Sequence, residues 1–137
     1  MTGILPIMDT LTTISLSDNW RIAYFGVDGW SPGFVPLDTL KDWTSPEQKS
    51  GGGITFMRQF SLEATDFCVR YLLHVETTPS AVKVLINGKT LPYEGTQPFI
   101  FDVTNVVQLE DNLIFFEVIS GATGKFGAVY LEPVPCE

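Results

Sequence analysis

"FCVRYLLHVETTPSAVKVLING", residues 67–88, decides the architecture of this chain. Phe67, Val69, Tyr71, Leu73 and Val75 fall on one side of an extended backbone, with Cys68, Arg70, Leu72, His74 and Glu76 on the other, because successive side chains of a strand alternate between faces. The first set reads as core and the second as a mixed, solvated face. After a break, Val82, Val84 and Ile86 resume the alternation up to Asn87-Gly88, the dipeptide best suited to a tight turn with positive φ. A hairpin from Val82 to about Leu91 follows.

The same alternation recurs along the chain in short runs broken by Gly, Pro, Asn or Asp, while helical periodicity is hard to find. Strands are expected at 12–16, 20–25, 54–61, 67–76, 81–87, 98–103, 112–119 and 126–132. The run "NLIFFEVIS" from Asn112 is apolar on both faces, which suits a strand in the middle of a sheet or beneath a loop. Many short strands with turn residues between them and no helical spacer predict an all-β fold, an antiparallel β-sandwich of jelly-roll type. Residues 1–137 make one domain, with a Gly-, Pro- and Trp-bearing loop excursion at about 26–53 across one end or edge.

Composition narrows the function. The chain is 45% hydrophobic and carries eight basic against sixteen acidic residues, a formal charge of −8. With the basic residues scattered singly, nucleic acid and anionic membrane surfaces are excluded as partners, leaving neutral or cationic ones. Residues 1–16 have no basic n-region and no span-length apolar run, so the chain is expected to be cytoplasmic unless it is an excised part of a secreted protein. Cys68 and Cys136 do not form a disulfide framework or a zinc-ligand spacing, and are expected to be unreactive thiols.

Four segments together carry a family resemblance: "NWRIAYF" from Asn19, "LKDWTSPEQKSGGGITFMRQFSL" from Leu40, the long run from Arg70 to Val118, and "KFGAVYLEPVP" from Lys125. Over about Leu16 to Pro135 the chain resembles the galactose-binding-like jelly-roll domain of family two glycoside hydrolases, the β-galactosidase and β-glucuronidase type. The resemblance implies an accessory, sugar-binding domain whose catalytic barrel lies outside these residues. It also implies that Asn87-Gly88, Asp102, Thr104 and Asn112 are framework corners, with Asp102 accepting backbone N–H groups in an Asx-type turn. Two departures stand out. Met57 occupies the place of a common arginine, and Phe126-Gly127-Ala128 replaces an Arg-Asp pair whose carboxylate lines the neighbouring active site in the β-galactosidase-like relatives.

Chemistry-bearing residues are sparse. His74 shares a strand face with Arg70 and Glu76, which reads as a solvated sheet face before it reads as an acid–base cluster. Asp9, Asp18, Asp28, Asp38, Asp42, Glu63 and Asp66 supply carboxylates, but nothing in the sequence brings two to glycosidase separation. No cofactor is expected; a structural calcium ion, as in related modules, is the one alternative, although no loop has an alternating oxygen-ligand pattern. Gly51-Gly52-Gly53 leads into a strand pattern and is no phosphate cradle.

Aromatic residues are the better lead, since sugar rings pack apolar faces on them. The resemblance implies that Trp20 and Trp43 are framework aromatics of the core. Trp30, followed by Phe34, lies in a loop that strand pairing cannot bury, and Tyr93, Glu94 and Gln97 follow the hairpin as candidate polar readers. The ligand-binding candidates are therefore Trp30, Phe34, Tyr93, Glu94 and Gln97. Arg58 falls on the same face as Ile54, Phe56 and Phe60, so it needs a partner, a bulge or an edge position. The expected function is a non-catalytic carbohydrate-binding or accessory module, acting through loops at one end or the concave sheet face. The alternative is a protein-interaction or assembly subunit, with a homo-oligomer or a partner complex as its natural state.

Overall fold

The computed structural model describes residues 11–25, 34–40, 53–80, 82–92, 98–119 and 124–136. Ten strands are present: β1 (Ile14–Ser15), β2 (Asp18–Phe25), β3 (Val35–Thr39), β4 (Gly53–Phe60), β5 (Val69–Val75), β6 (Val82–Ile86), β7 (Lys89–Thr90), β8 (Phe99–Asp102), β9 (Asn112–Ile119) and β10 (Val129–Pro135). They form a four-stranded sheet, ordered β1-β10-β5-β8, and a six-stranded sheet, ordered β3-β2-β4-β9-β6-β7. All pairings are antiparallel. The two sheets bury their alternate residues against each other as a β-sandwich.

Burial follows the alternation. Leu73 and Val75 of β5, Val84 and Ile86 of β6, and Ile114, Phe116 and Val118 of β9 are buried, joined by Leu131 and Val129 from β10. Trp20 stacks on Phe116 at 5.1 Å and donates its indole N–H to the carbonyl of Leu16 at 2.6 Å, so its one polar atom is satisfied where the ring is buried. Trp43 lies outside the described residues. β9 runs between β4 and β6, with Leu113 and Phe115 half-buried on its outer face.

Three features differ from the sequence reading. Cys68 and Cys136 are joined in a disulfide, not free thiols. Their sequence separation of 68 hid the pairing, but Val69 pairs with Pro135 across β5 and β10, which sets the two cysteines opposite each other one step further on. The excursion at 26–53 contains β3, which pairs with β2 from Asp18↔Thr39 to Ile22↔Val35. As an edge strand it tolerates Pro36.

The final strand starts at Val129, three residues later than expected, and ends at Pro135. Phe126 leaves the strand pattern to enter the core, edge-on to Phe56 at 4.9 Å and stacked on Phe116 at 5.1 Å. Pro133 and Pro135 are compatible with β10 because the Cys136 N–H bonds the Cys68 carbonyl. Counting back from that bonded pair, the missing N–H groups of both prolines point away from β5, past the end of β1.

Arg58 has regular pairing on β4 and sits in an interior strand, so neither a bulge nor an edge position explains it. The β2–β4 ladder stops at Arg21↔Met57, and Arg58 reaches past that end. It donates Nε to the Asp18 carbonyl at 2.6 Å and Nη1 to the Gln59 carbonyl at 3.0 Å. Burial lowers its pKa, partly opposed by the Asp18 charge.

Candidate functional site

The corner residues form a continuous polar lock. Asn87 and Gly88 take positive φ values of 51° and 84° in the turn joining β6 to β7. Asn87 Oδ1 accepts the Leu113 N–H, and its Nδ2 donates to the Val106 carbonyl and to Asn112 Oδ1. Asn112, fully buried, also accepts the Gln108 N–H at 2.8 Å and donates to the carbonyls of Gln108 and Phe60. Every hydrogen-bonding atom of that amide is thereby occupied.

Asp102 and Thr104 close the adjoining corner. Asp102 Oδ1 accepts both the Thr104 hydroxyl at 2.7 Å and the Thr104 N–H at 3.1 Å, while Oδ2 accepts Arg70 Nη2 at 3.0 Å. The Thr104 hydroxyl hydrogen bond, then Arg70 and the Thr104 N–H, hold the Asp102 carboxyl at a pKa of about 2. Thr104 Oγ1 in turn accepts the Tyr71 N–H.

Of the residues singled out as ligand contacts, Phe34 is exposed immediately before β3. Trp30, Tyr93, Glu94 and Gln97 lie outside the described residues, as do Asp9, Asp28 and Asp42. Among the described residues no group of three or more His, Cys, Asp or Glu side chains is arranged to hold a metal ion.

The outer face of the four-stranded sheet brings together residues from three strands. His74 Nε2 lies 2.8 Å from Glu132 Oε1, and its ring stacks on Tyr130 at 4.5 Å. Alongside are the Arg70–Asp102 pair and Ile100, which is 58% exposed. Pairing across β5 predicts this grouping, since His74 lies opposite Tyr130 on one side and Ile100 on the other. The sequence alone gave His74 with Arg70 and Glu76; Glu132 and Tyr130 enter through a register that only the fold supplies.

A second concave region was not foreseen. A cleft of about 380 Å³ opens between the segment before β1, the Ser61–Thr65 segment after β4, and the paired residues Tyr71 and Pro133. Tyr71 and Pro133 share the core side of their strands with Leu73 and Leu131, so the cleft is the mouth of the sandwich where the core gives way to solvent. Ser61–Thr65 is fixed at its base by the Leu62 N–H bond to the Leu109 carbonyl and by the Asp111 N–H bond to Ser61 Oγ. Burial raises the Tyr71 phenol pKa. The signal in the sequence was the polar run "SLEATD" after an apolar strand, which reads as an ordinary loop until Tyr71 is placed beneath it.

No family model and no curated protein matches the sequence. Solved structures do match. The β-glucuronidase of Bifidobacterium dentium, complexed with coumarin-3-O-glucuronide, superposes with a TM-score of 0.70 at 17% identity, over 94% of this chain and 31% of that one. A Faecalibacterium prausnitzii β-glucuronidase gives 0.68 at 14% identity, over 96% of this chain and 33% of that one. A glycosyl hydrolase family 2 member from Bacteroides cellulosilyticus gives 0.66 at 12% identity, over 90% and 20%. What these enzymes share with this chain is the fold, a β-sandwich of the kind carried by family 2 glycoside hydrolases, which accounts for nearly all of this chain and a minor part of each enzyme.

Proposed function

We propose that this chain is a non-catalytic accessory module that recognises carbohydrate. The observation that carries the reading is the asymmetry of the match. A single sandwich accounts for 94% of this chain but only 31% of the Bifidobacterium enzyme, so what is shared is one domain, and a domain's function rests on its own site. Weak recognition without calcium is the expected mode, since shallow sites of aromatic and polar side chains suffice for sugars.

The test is a glycan-binding screen of the purified chain, spanning neutral, amino and uronic sugars, run with calcium and with chelator. Specific binding unchanged by chelator is the expected result. A clean negative across the panel overturns the reading.

A second reading, protein interaction or assembly, is favoured by the outer face of the four-stranded sheet. Ile100 at 58% exposure beside half-buried Leu72 gives that face an apolar centre, rimmed by Arg70–Asp102 and His74–Glu132, the layout of a small interface patch. Light scattering at high concentration tests the homo-oligomer form. Self-association abolished by Ile100→Lys supports it, and a monomer throughout counts against it.

A further inference from the structure

We infer that the cleft at the mouth of the sandwich is a binding site for one neutral pyranose unit, with Tyr71 and Glu63 reading its hydroxyls. The inference rests on the carbohydrate reading above and names where the sugar sits and which sugars are accepted.

Polar groups of the corners and of the outer sheet face satisfy one another: Asn87 with Asn112, Asp102 with Arg70 and Thr104, His74 with Glu132. In the cleft, the Ser61 and Thr65 hydroxyls are used internally, but Tyr71, Glu63 and Thr12 line the same opening, and no side-chain hydrogen bond or ion pair joins any of these three to another described residue. Tyr71 is half-buried, so a hydroxyl there with no internal partner is costly unless water or a ligand completes it; Glu63 and Thr12 are exposed and open to either.

The remaining walls are apolar. Leu11, Ile14, Leu62 and Pro133 line it with Tyr71, and Ile14, Leu62 and Tyr71 are packed against the core, so this side of the cleft is held by the sandwich itself. An apolar floor with a few convergent hydroxyl and carboxylate groups matches a pyranose, whose C–H face is apolar and whose edge carries hydroxyls. At about 380 Å³ the cleft falls within the small-molecule range. The Tyr71 phenol is an O–H donor at neutral pH, and burial moves its pKa further up.

Charge selects within that class. Among the described residues no Lys, Arg or His lines the cleft and Glu63 is the one carboxyl that does, in a chain of formal charge −8. A uronic acid would bring a second carboxylate beside Glu63 with no cation to pair it, an unfavourable juxtaposition at close range. Neutral hexosides are therefore accepted and uronides disfavoured, although β-glucuronidases are among the structures with this fold.

The experiment is an NMR titration of the isotope-labelled chain with methyl β-glucoside, methyl β-galactoside and methyl β-glucuronide, repeated on Tyr71→Phe and Glu63→Lys. Tyr71→Phe keeps the ring and removes only the hydroxyl; Glu63 is exposed and unpaired, so neither variant should disturb folding. Shifts at residues 61–65 on adding a neutral glycoside, a five- to tenfold weaker binding in Tyr71→Phe, and a relative gain for the glucuronide in Glu63→Lys are expected. Neutral glycosides that bind with shifts elsewhere and unchanged affinity in both variants would overturn the cleft assignment while leaving the carbohydrate reading intact. Tighter binding of the glucuronide by the unsubstituted chain would overturn the charge selection. No binding of any glycan, here or in the wider screen, removes both readings together.

Discussion

The Asn87–Asn112 corner and the Tyr71 mouth both place polar side chains against the same hydrophobic core, yet one is closed and the other open. At the corner each amide atom of Asn112 meets a partner, and the residue is fully buried at no net loss of hydrogen bonding. At the mouth, Tyr71 bonds the framework through its backbone N–H, and its hydroxyl is left over. The difference teaches how to tell a structural polar residue from an available one: by whether its partners lie inside the chain. Composition cannot make that distinction, because the partners are set by the fold.

The two regions are also held differently, and the largest expected effect breaks that contrast. The Ser61–Thr65 wall of the mouth leads directly to Cys68, which is tied to Cys136 at the end of β10. Closing a loop of this length removes enough unfolded-chain entropy to contribute about 4 kcal/mol. Cys68→Ser with Cys136→Ser should lower the denaturation midpoint by a corresponding amount, and reduction of the unsubstituted chain should do the same. An unchanged midpoint would mean that the strand ladder alone holds the mouth.

Next in size is the corner. Asn112→Ala strips partners from the Asn87 amide, the Gln108 N–H and two carbonyls in a buried setting. A loss of about 3 kcal/mol is expected in urea unfolding. A loss below about 1 kcal/mol would mean that water replaces the amide and that the corner is less closed than its geometry indicates.

Gly127 probes whether tight fit, apart from hydrogen bonding, also closes a region. A Cβ there would meet Thr77 Oγ1 at 2.6 Å, the Glu76 Cβ at 3.1 Å and the Thr77 nitrogen at 3.2 Å, so Gly127→Ala should cost about 1–2 kcal/mol by turning the Thr77 hydroxyl aside and pressing the two segments apart. Differential scanning calorimetry reads this directly. The segment that the family resemblance marks as lacking an Arg-Asp pair is thus packed closely on Glu76 and Thr77 at Gly127.

The smallest effect sharpens the comparison through pH. The Asp102 carboxyl, held at about 2 against an ordinary 3.8, binds its proton less readily in the folded chain than in the unfolded one. Its contribution is complete above about pH 4 and is lost as pH falls toward 2. Because the side chain is half exposed, solvent screening limits that contribution to less than about 1 kcal/mol. Asp102→Asn should flatten this part of the acid stability profile; an unaltered slope would assign the acid sensitivity to other carboxylates.

Much of the fold was legible in the sequence because period-two alternation is a local signal. All eight expected runs carry strands, and "NLIFFEVIS" lies inside its sheet as its two apolar faces require. Where the reading failed, the deciding information was non-local. Phe126 looks like a strand residue until the core has a gap for it, Arg58 looks unpaired until the end of β2 is placed beside it, and Cys68 looks solitary until β10 arrives opposite. The mouth was hidden for the same reason: Ile14, Leu62, Tyr71 and Pro133 belong to four separate segments, and no spacing in the sequence links them.

One consequence of the Cys68–Cys136 link concerns surroundings rather than stability. A thiol pair beside solvent, with Cys68 exposed, stays oxidised only where the ambient redox poise allows it, outside the glutathione-buffered interior of most cells. Moved into a reducing compartment, the same sequence would keep its sandwich core while its final strand lost its covalent tether.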